Sequence, residues 1–102
     1  MPFRAVEFHP LAKRELHEAR RRYRRRSPAT AHRFQQAANQ VFQQIAYNAE
    51  LGAPYQQRFR WMLVKRFPYL LYYEIRDPLP VMIYAVAHAR RRPNYWLRRA
   101  GP

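Results

Sequence analysis

The chain has 102 residues, 48% hydrophobic and 16% aromatic, which is enough apolar material for one modest core and too little length for two domains. Twenty Lys and Arg against six Asp and Glu give a net charge of +14, and Lys13 and Lys65 are the only lysines, so the cations are overwhelmingly Arg. Guanidinium grips carboxylate and phosphate bidentately and stacks on flat groups, so this composition points to polyanionic partners: nucleic acid, the ribosome, an acidic protein segment or, less favoured, an anionic membrane. With no Cys there is no disulfide framework, thiolate metal site or cysteine nucleophile. Ser27 and Thr30 are the only Ser and Thr, which leaves almost nothing for acyl-enzyme chemistry, and with Gly52 and Gly101 the only glycines there is no Gly-rich phosphate loop. His9, His17, His32 and His88 lack metal-ligand spacing, so no metal and no cofactor are expected. No apolar run approaches the ~18–20 residues that span a membrane, and the N-terminus carries no signal-peptide core. A cytoplasmic protein with no membrane partner is the expectation.

Phe3 to Phe8 alternates loosely and reads as a short strand. Pro10 then fits the first turn of a helix, where its missing N–H costs nothing. Ala12, Leu16, Ala19 and Tyr23 recur at helical spacing, with Lys13, Arg14, Glu18, Arg21 and Arg22 on the opposite face. Arg fills six of the seven positions from 20 to 26, where cations complement the helix macrodipole. Ser27-Pro28 punctuates the chain as an N-cap followed by Pro. Ala31, Phe34, Ala38, Val41 and Ile45 form the cleanest helical stripe, separated by Gln and Asn and ended by Asn48 and Gly52. Two helices joined by so short a polar turn form an antiparallel hairpin.

The second half changes period. Gln57–Phe67, Tyr69–Arg76 and Val81–His88 are rich in aromatic and β-branched residues and are broken at Pro68 and at Asp77-Pro-Leu-Pro80, which predicts an antiparallel meander. Val81 to Ala87 is apolar on both faces and belongs inside the sheet. Residues 89–102 form a basic aromatic tail. The predicted fold is α+β, β-α-α-β-β-β, with the helical hairpin on one face of a small, mostly antiparallel four-stranded sheet.

No remaining element covers the second sheet face, so an open surface is expected there, carrying Arg58, Arg60, Arg66, Arg76 and His88 with Tyr and Trp interleaved. Such a surface suits phosphates and stacked bases. His88 at a strand end is able to exchange protons near neutral pH, as a general acid or base on a ribose 2′-OH, or else simply to bond the tail. Tyr95 and Trp96 serve either as packing anchors or as stacking platforms. The run Arg24, Arg25, Arg26 is either a polyanion contact or a solvated helix end.

Five motifs together resemble one family. They are Ala12-x-x-Glu15-Leu16-x-Glu18-Ala19 with Tyr23; Ala31-x-x-Phe34; Ile45-Ala-x-Asn48-x-x-x-Gly52; Arg60 followed by Phe67-Pro68-Tyr69-x-x-x-Tyr73; and Ala85-Val86-Ala87-His88-x-x-Arg91-x-Pro93-x-Tyr95-Trp96-x-x-Arg99. Over about residues 4 to 99 the chain is similar to the RelE/ParE superfamily of type II toxin–antitoxin toxins. The resemblance implies a growth-arresting toxin neutralised by a cognate acidic antitoxin whose C-terminal segment wraps it. In that superfamily RelE-like members cleave ribosome-bound mRNA without a metal, and ParE-like members poison DNA gyrase. A nuclease would use Arg58, Arg60, His88 and Tyr95. Acidic-partner or nucleic-acid contacts would fall to Arg24, Arg25, Arg26, Arg66, Arg76, Arg91 and Arg99. The Gln-rich hairpin and the Asn48–Gly52 turn resemble the ParE branch more closely, where the hairpin is the suspected contact surface.

Overall fold

The computed structural model describes residues 3–102. In chain order it contains β1 (Val6–Phe8), α1 (Pro10–Arg26), α2 (Pro28–Tyr47), β2 (Ala53–Tyr55), β3 (Phe59–Leu63), β4 (Tyr69–Glu74) and β5 (Val81–His88), with single 3₁₀ turns at Ala49–Leu51 and Leu97–Ala100.

Both helices begin where local chemistry dictates. The Ser27 hydroxyl accepts the Thr30 N–H at 3.0 Å, and Pro28 occupies the first turn of α2. The start of α1 uses a less common device: Nδ1 of His9 accepts the Leu11 N–H at 3.1 Å. At the far end of α2 the Asn48 side chain accepts the Glu50 N–H and turns the chain into the 3₁₀ turn. The α2 stripe Ala31, Phe34, Ala38, Val41 and Ile45 is wholly buried, as are Ala12, Leu16 and Ala19 of α1. All of these but Ala31 share one core with Tyr69, Leu71 and Tyr73 of β4 and Val81, Ile83 and Val86 of β5. An aromatic group of Tyr23, Phe34, Phe67 and Tyr69 closes one end of this core, with ring centroids 5.1–6.3 Å apart.

The sheet has five strands in the order β1-β5-β4-β3-β2, one more than the sequence pattern predicts. The added strand is β2, three residues long with Pro54 at its centre, paired antiparallel with β3 at the sheet edge. Neither alternation nor length announces it, and Pro is tolerated because the strand is an edge. The segment predicted from Gln57 to Phe67 is strand only from Phe59 to Leu63, since Gln56, Gln57 and Arg66 take left-handed backbone angles and turn the chain. β1 pairs parallel with β5, and all other pairs are antiparallel. β5 is interior, as its two apolar faces require. β1, however, covers only Val81–Ile83 of it, leaving Tyr84–His88 with a free side.

The expectation of an open second face is overturned. The tail folds back over the sheet and buries Trp96, which is 1% exposed, against Phe59, Tyr72 and Tyr84. The indole stacks on Tyr72 at 4.7 Å and meets Phe59 edge-on at 4.9 Å. Burying one such aromatic contributes about 2–3 kcal/mol, which a bare sheet face would forgo. The molecule therefore has three layers, helices, sheet and tail, with a second small core beneath the tail.

Candidate functional site

Tail, sheet and first helix meet at Glu15. Its carboxylate accepts from the Val86 N–H (3.0 Å), the Tyr95 hydroxyl (2.7 Å), Arg91 (3.3 Å) and both Nη atoms of Arg99 (2.9 and 2.8 Å). The Glu15 and Arg99 side chains are only 10% and 11% exposed, so this pair is largely desolvated. Arg99 also donates to the Tyr84 carbonyl at 2.9 Å. The two backbone groups of β5 served here, Val86 N–H and Tyr84 C=O, lie just beyond the reach of β1. Burial and then donation to Glu15 push the Tyr95 hydroxyl well above the usual tyrosine range, so it stays protonated. Burial of Arg99 works against its charge, but pairing with Glu15 more than offsets this and its pKa is raised. The Arg91 guanidinium lies 3.7 Å over the Tyr95 ring.

A second ion pair holds the tail's end. Arg58 donates bidentately to Glu74 at 2.7 and 3.3 Å and to the carbonyls of Ala100 and Gly101 at 2.8 and 3.0 Å. Hydrogen bonding to Glu74 raises the Arg58 pKa. Tyr84 donates to the same carboxylate at 2.8 Å, and its hydroxyl pKa is raised by burial first and this bond second.

The four residues a nuclease would use are not brought together. Arg60 stands opposite Tyr73 on β4, and His88 opposite Tyr69. Four residues along β4 and two strand spacings across it place Arg60 and His88 about 16 Å apart. Arg60 spends its Nη1 on the carbonyls of Glu50 and Gly52, fastening the end of the hairpin to β3. His88 accepts the Arg90 N–H on Nδ1 and packs edge-on against Tyr69. It borders a cleft of about 140 Å³ shared with Glu15, Glu18, Arg22 and Arg91, well under the few hundred Å³ of a typical ligand pocket. Arg58 lies on the tail side, and Tyr95 is bound to Glu15.

Among the remaining predicted contact residues, Arg76 donates to the Pro80 carbonyl and to Glu7, while Arg91 and Arg99 serve Glu15. Arg24, Arg25 and Arg26 are exposed in the last turn of α1. Arg66, at φ 71° in the β3–β4 turn, lines a groove of about 540 Å³ with Arg33, Lys65, Gln36, Gln40 and Phe67. Glu15 and Glu74 are the organising residues that pattern reading leaves without a role. The signal for Glu15 was present: it is an acid on the apolar stripe of α1, between Ala12 and Leu16, in a chain with six acids. Among the described residues no three His, Asp or Glu converge as a metal site, and no helix is long and apolar enough to cross a membrane.

A helical hairpin on a five-stranded mixed sheet, strongly basic and locked by its own C-terminal tail, defines a small α+β domain of the RelE/ParE type. Residues 6–93 match the family model described as the ParE toxin of type II toxin–antitoxin system, parDE, so the chain belongs to that family. It is the toxin of such a pair, and membership implies an antitoxin partner. No curated protein gives a significant match.

Proposed function

We propose that the protein arrests growth by binding DNA gyrase as a ParE-like inhibitor, without catalysis of its own. The observation that carries this reading is the separation of Arg58, Arg60, His88 and Tyr95. Three of the four are tied to protein acceptors and the fourth is turned into a cleft too small for a nucleotide. General acid–base catalysis requires groups within hydrogen-bond reach of the reacting atoms, whereas Arg60 and His88 stand about 16 Å apart on the helix side of the sheet and Arg58 is bound to the tail. The exposed polar face of α2, including Gln43 and Gln44, is then the contact surface for the target.

The antitoxin in this reading is an acidic, amphipathic segment lying in the groove between α2 and the β3–β4 turn. Arg33, Lys65 and Arg66 meet its carboxylates there, and Phe67 with the half-exposed Leu63 supplies apolar contact. Its affinity falls with salt and persists at high salt, because apolar anchors carry part of it.

The test is induced expression under titratable control, with gyrase supercoiling and ribosome-dependent mRNA cleavage assayed side by side on the purified toxin. Loss of supercoiling without cleavage is expected. Ribosome-dependent cleavage with supercoiling intact would instead assign the RelE-like endoribonuclease activity.

A further inference from the structure

We propose that the solvent face of α1 is a binding surface for the backbone of duplex DNA. Lys13, Arg14, Arg20, Arg21, Arg24 and Arg25 fall on that face in neighbouring rows at spacings of three, four and seven. From position 13 to 25 they span about 18 Å of helix axis, the length of about five base-pair steps.

Three observations, taken together, support this face. First, its charge is uncommitted: among the described residues none of these six cations forms an ion pair, whereas Arg4, Arg58, Arg76, Arg91 and Arg99 all do. The one side-chain bond is a long one, from Arg20 to Gln35 at 3.4 Å. Glu18 is the single acid at the border. Like charges at i, i+4, such as Arg20–Arg24 and Arg21–Arg25, repel, so the arrangement works against the isolated helix and is relieved by a polyanion. Second, the face lacks apolar anchors. The large exposed apolar side chains are Phe3, Leu11, Tyr47, Leu51, Leu63 and Leu79, and only Leu11 lies on α1, in its first turn. Protein interfaces are held by such anchors, so an acidic protein fits here less well than a phosphate backbone. Third, the face has no Phe, Tyr or Trp as a stacking platform. Tyr23 is packed against Phe34, Phe67 and Tyr69, which leaves the small imidazole of His17 as the one flat ring there, and single-stranded RNA or DNA is held by several stacked aromatics. A row of cations with no Phe, Tyr or Trp among them and no apolar anchor suits a duplex. This inference goes beyond the choice of target, since DNA binding by the toxin is measured without gyrase.

The experiment is fluorescence anisotropy of the toxin with a labelled 20-base-pair duplex over a salt series. Arg14→Gln/Arg21→Gln/Arg25→Gln is compared with Arg90→Gln/Arg92→Gln/Arg98→Gln, three exposed tail arginines that form no ion pair. Each phosphate contact contributes about −0.9 to the slope of log K against log salt, so the α1 triple flattens it by about 2–3 and the tail triple by less than about 1. Arg14→Lys/Arg21→Lys/Arg25→Lys keeps the wild-type slope, and serves as the second variant should the Gln triple lose helicity. Equal losses in the α1 and tail triples, or an unchanged slope in the α1 triple, would overturn the proposal. So would tighter binding of single-stranded RNA or of polyglutamate than of duplex DNA.

Discussion

The ring of Tyr73 occupies the space that any side chain at Gly52 would need. A Cβ built on Gly52 would stand 2.3 Å from the Tyr73 hydroxyl oxygen and 2.9 Å from two ring carbons. That hydroxyl accepts the Gly52 N–H at 3.0 Å and donates to the Ala49 carbonyl at 2.6 Å, so one buried phenol closes the end of the helical hairpin. The glycine at 52 is a matter of space, because its φ of −68° is open to any residue. Gly52→Ala should therefore destabilise the fold by about 1–3 kcal/mol, the usual cost of overpacking. Tyr73→Phe should cost a similar amount by leaving two buried backbone groups without their partner. The double variant should gain little back, since the ring carbons remain in the way. Thermal melts of the three variants check this, and a wild-type melting temperature for Gly52→Ala would refute it.

Glu15 should be the most sensitive surface-proximal position in the chain. Glu15→Gln keeps the shape but leaves Arg99 largely desolvated beside a neutral amide, and breaking such a pair costs about 3 kcal/mol. For a domain of this size the melting temperature should fall by more than about 10 °C. Truncation to Ala should also release the tail, which an increase in tryptophan exposure at Trp96 would register. Unchanged fluorescence and stability would mean that the tail is held by the aromatic cluster alone.

These two sites mark the limits of what could be read in advance. The α2 stripe was legible because Ala31, Phe34, Ala38, Val41 and Ile45 obey one period and are all buried. The β4 faces were legible too, with Tyr69, Leu71 and Tyr73 inward in strict alternation. Ser27 declared itself as a cap. β2 did not, because a three-residue edge strand carries no period. The His9 cap escaped because His is seldom used there. The Glu15 cluster joins residues 71 to 84 positions apart in sequence, and no local pattern reports such a contact. Covering of the second sheet face was half visible in Tyr95 and Trp96, but composition alone cannot say where a tail lands.

The His9 cap makes the stability sensitive to mild acid. Burial, and then the charge of Arg99, hold the His9 pKa below its ordinary value, with Glu15 opposing them. A folded-state pKa below the unfolded one means that the unfolded chain binds the proton first. The contribution of this cap is thus present above the usual imidazole range, near pH 6.5, and is lost as pH falls below it. Protonation also removes the Nδ1 lone pair that accepts from Leu11. Stability should drop by up to about 1 kcal/mol between pH 7 and 5, the worth of one N-cap. His9→Asn, whose amide caps without titrating, should flatten that part of the profile. An identical acid limb in the variant would show that other groups set it.

His88 and Arg60 separate binding from catalysis in the cell. In the gyrase-binding reading His88→Ala retains full growth arrest, with stability changed by no more than about 1 kcal/mol from the lost bond to Arg90. Gln43→Glu/Gln44→Glu on the exposed face of α2 should abolish arrest without loss of folding. Arg60→Ala should weaken arrest only in proportion to its destabilisation, through the Glu50 and Gly52 carbonyls. Loss of toxicity in a fully folded His88→Ala protein would favour general acid–base chemistry, which typically supplies about 10²–10⁴ in rate.

The way β5 is finished has a consequence for the toxin outside its complex. Past Phe8 the strand would present bare amide and carbonyl groups, the template on which sheets of separate molecules join into aggregates. Glu15 and Arg99 occupy Val86 N–H and Tyr84 C=O with side chains instead of a neighbouring strand. Along this stretch the chain thus offers no bare pair of groups on which the strand of a second copy could begin to join.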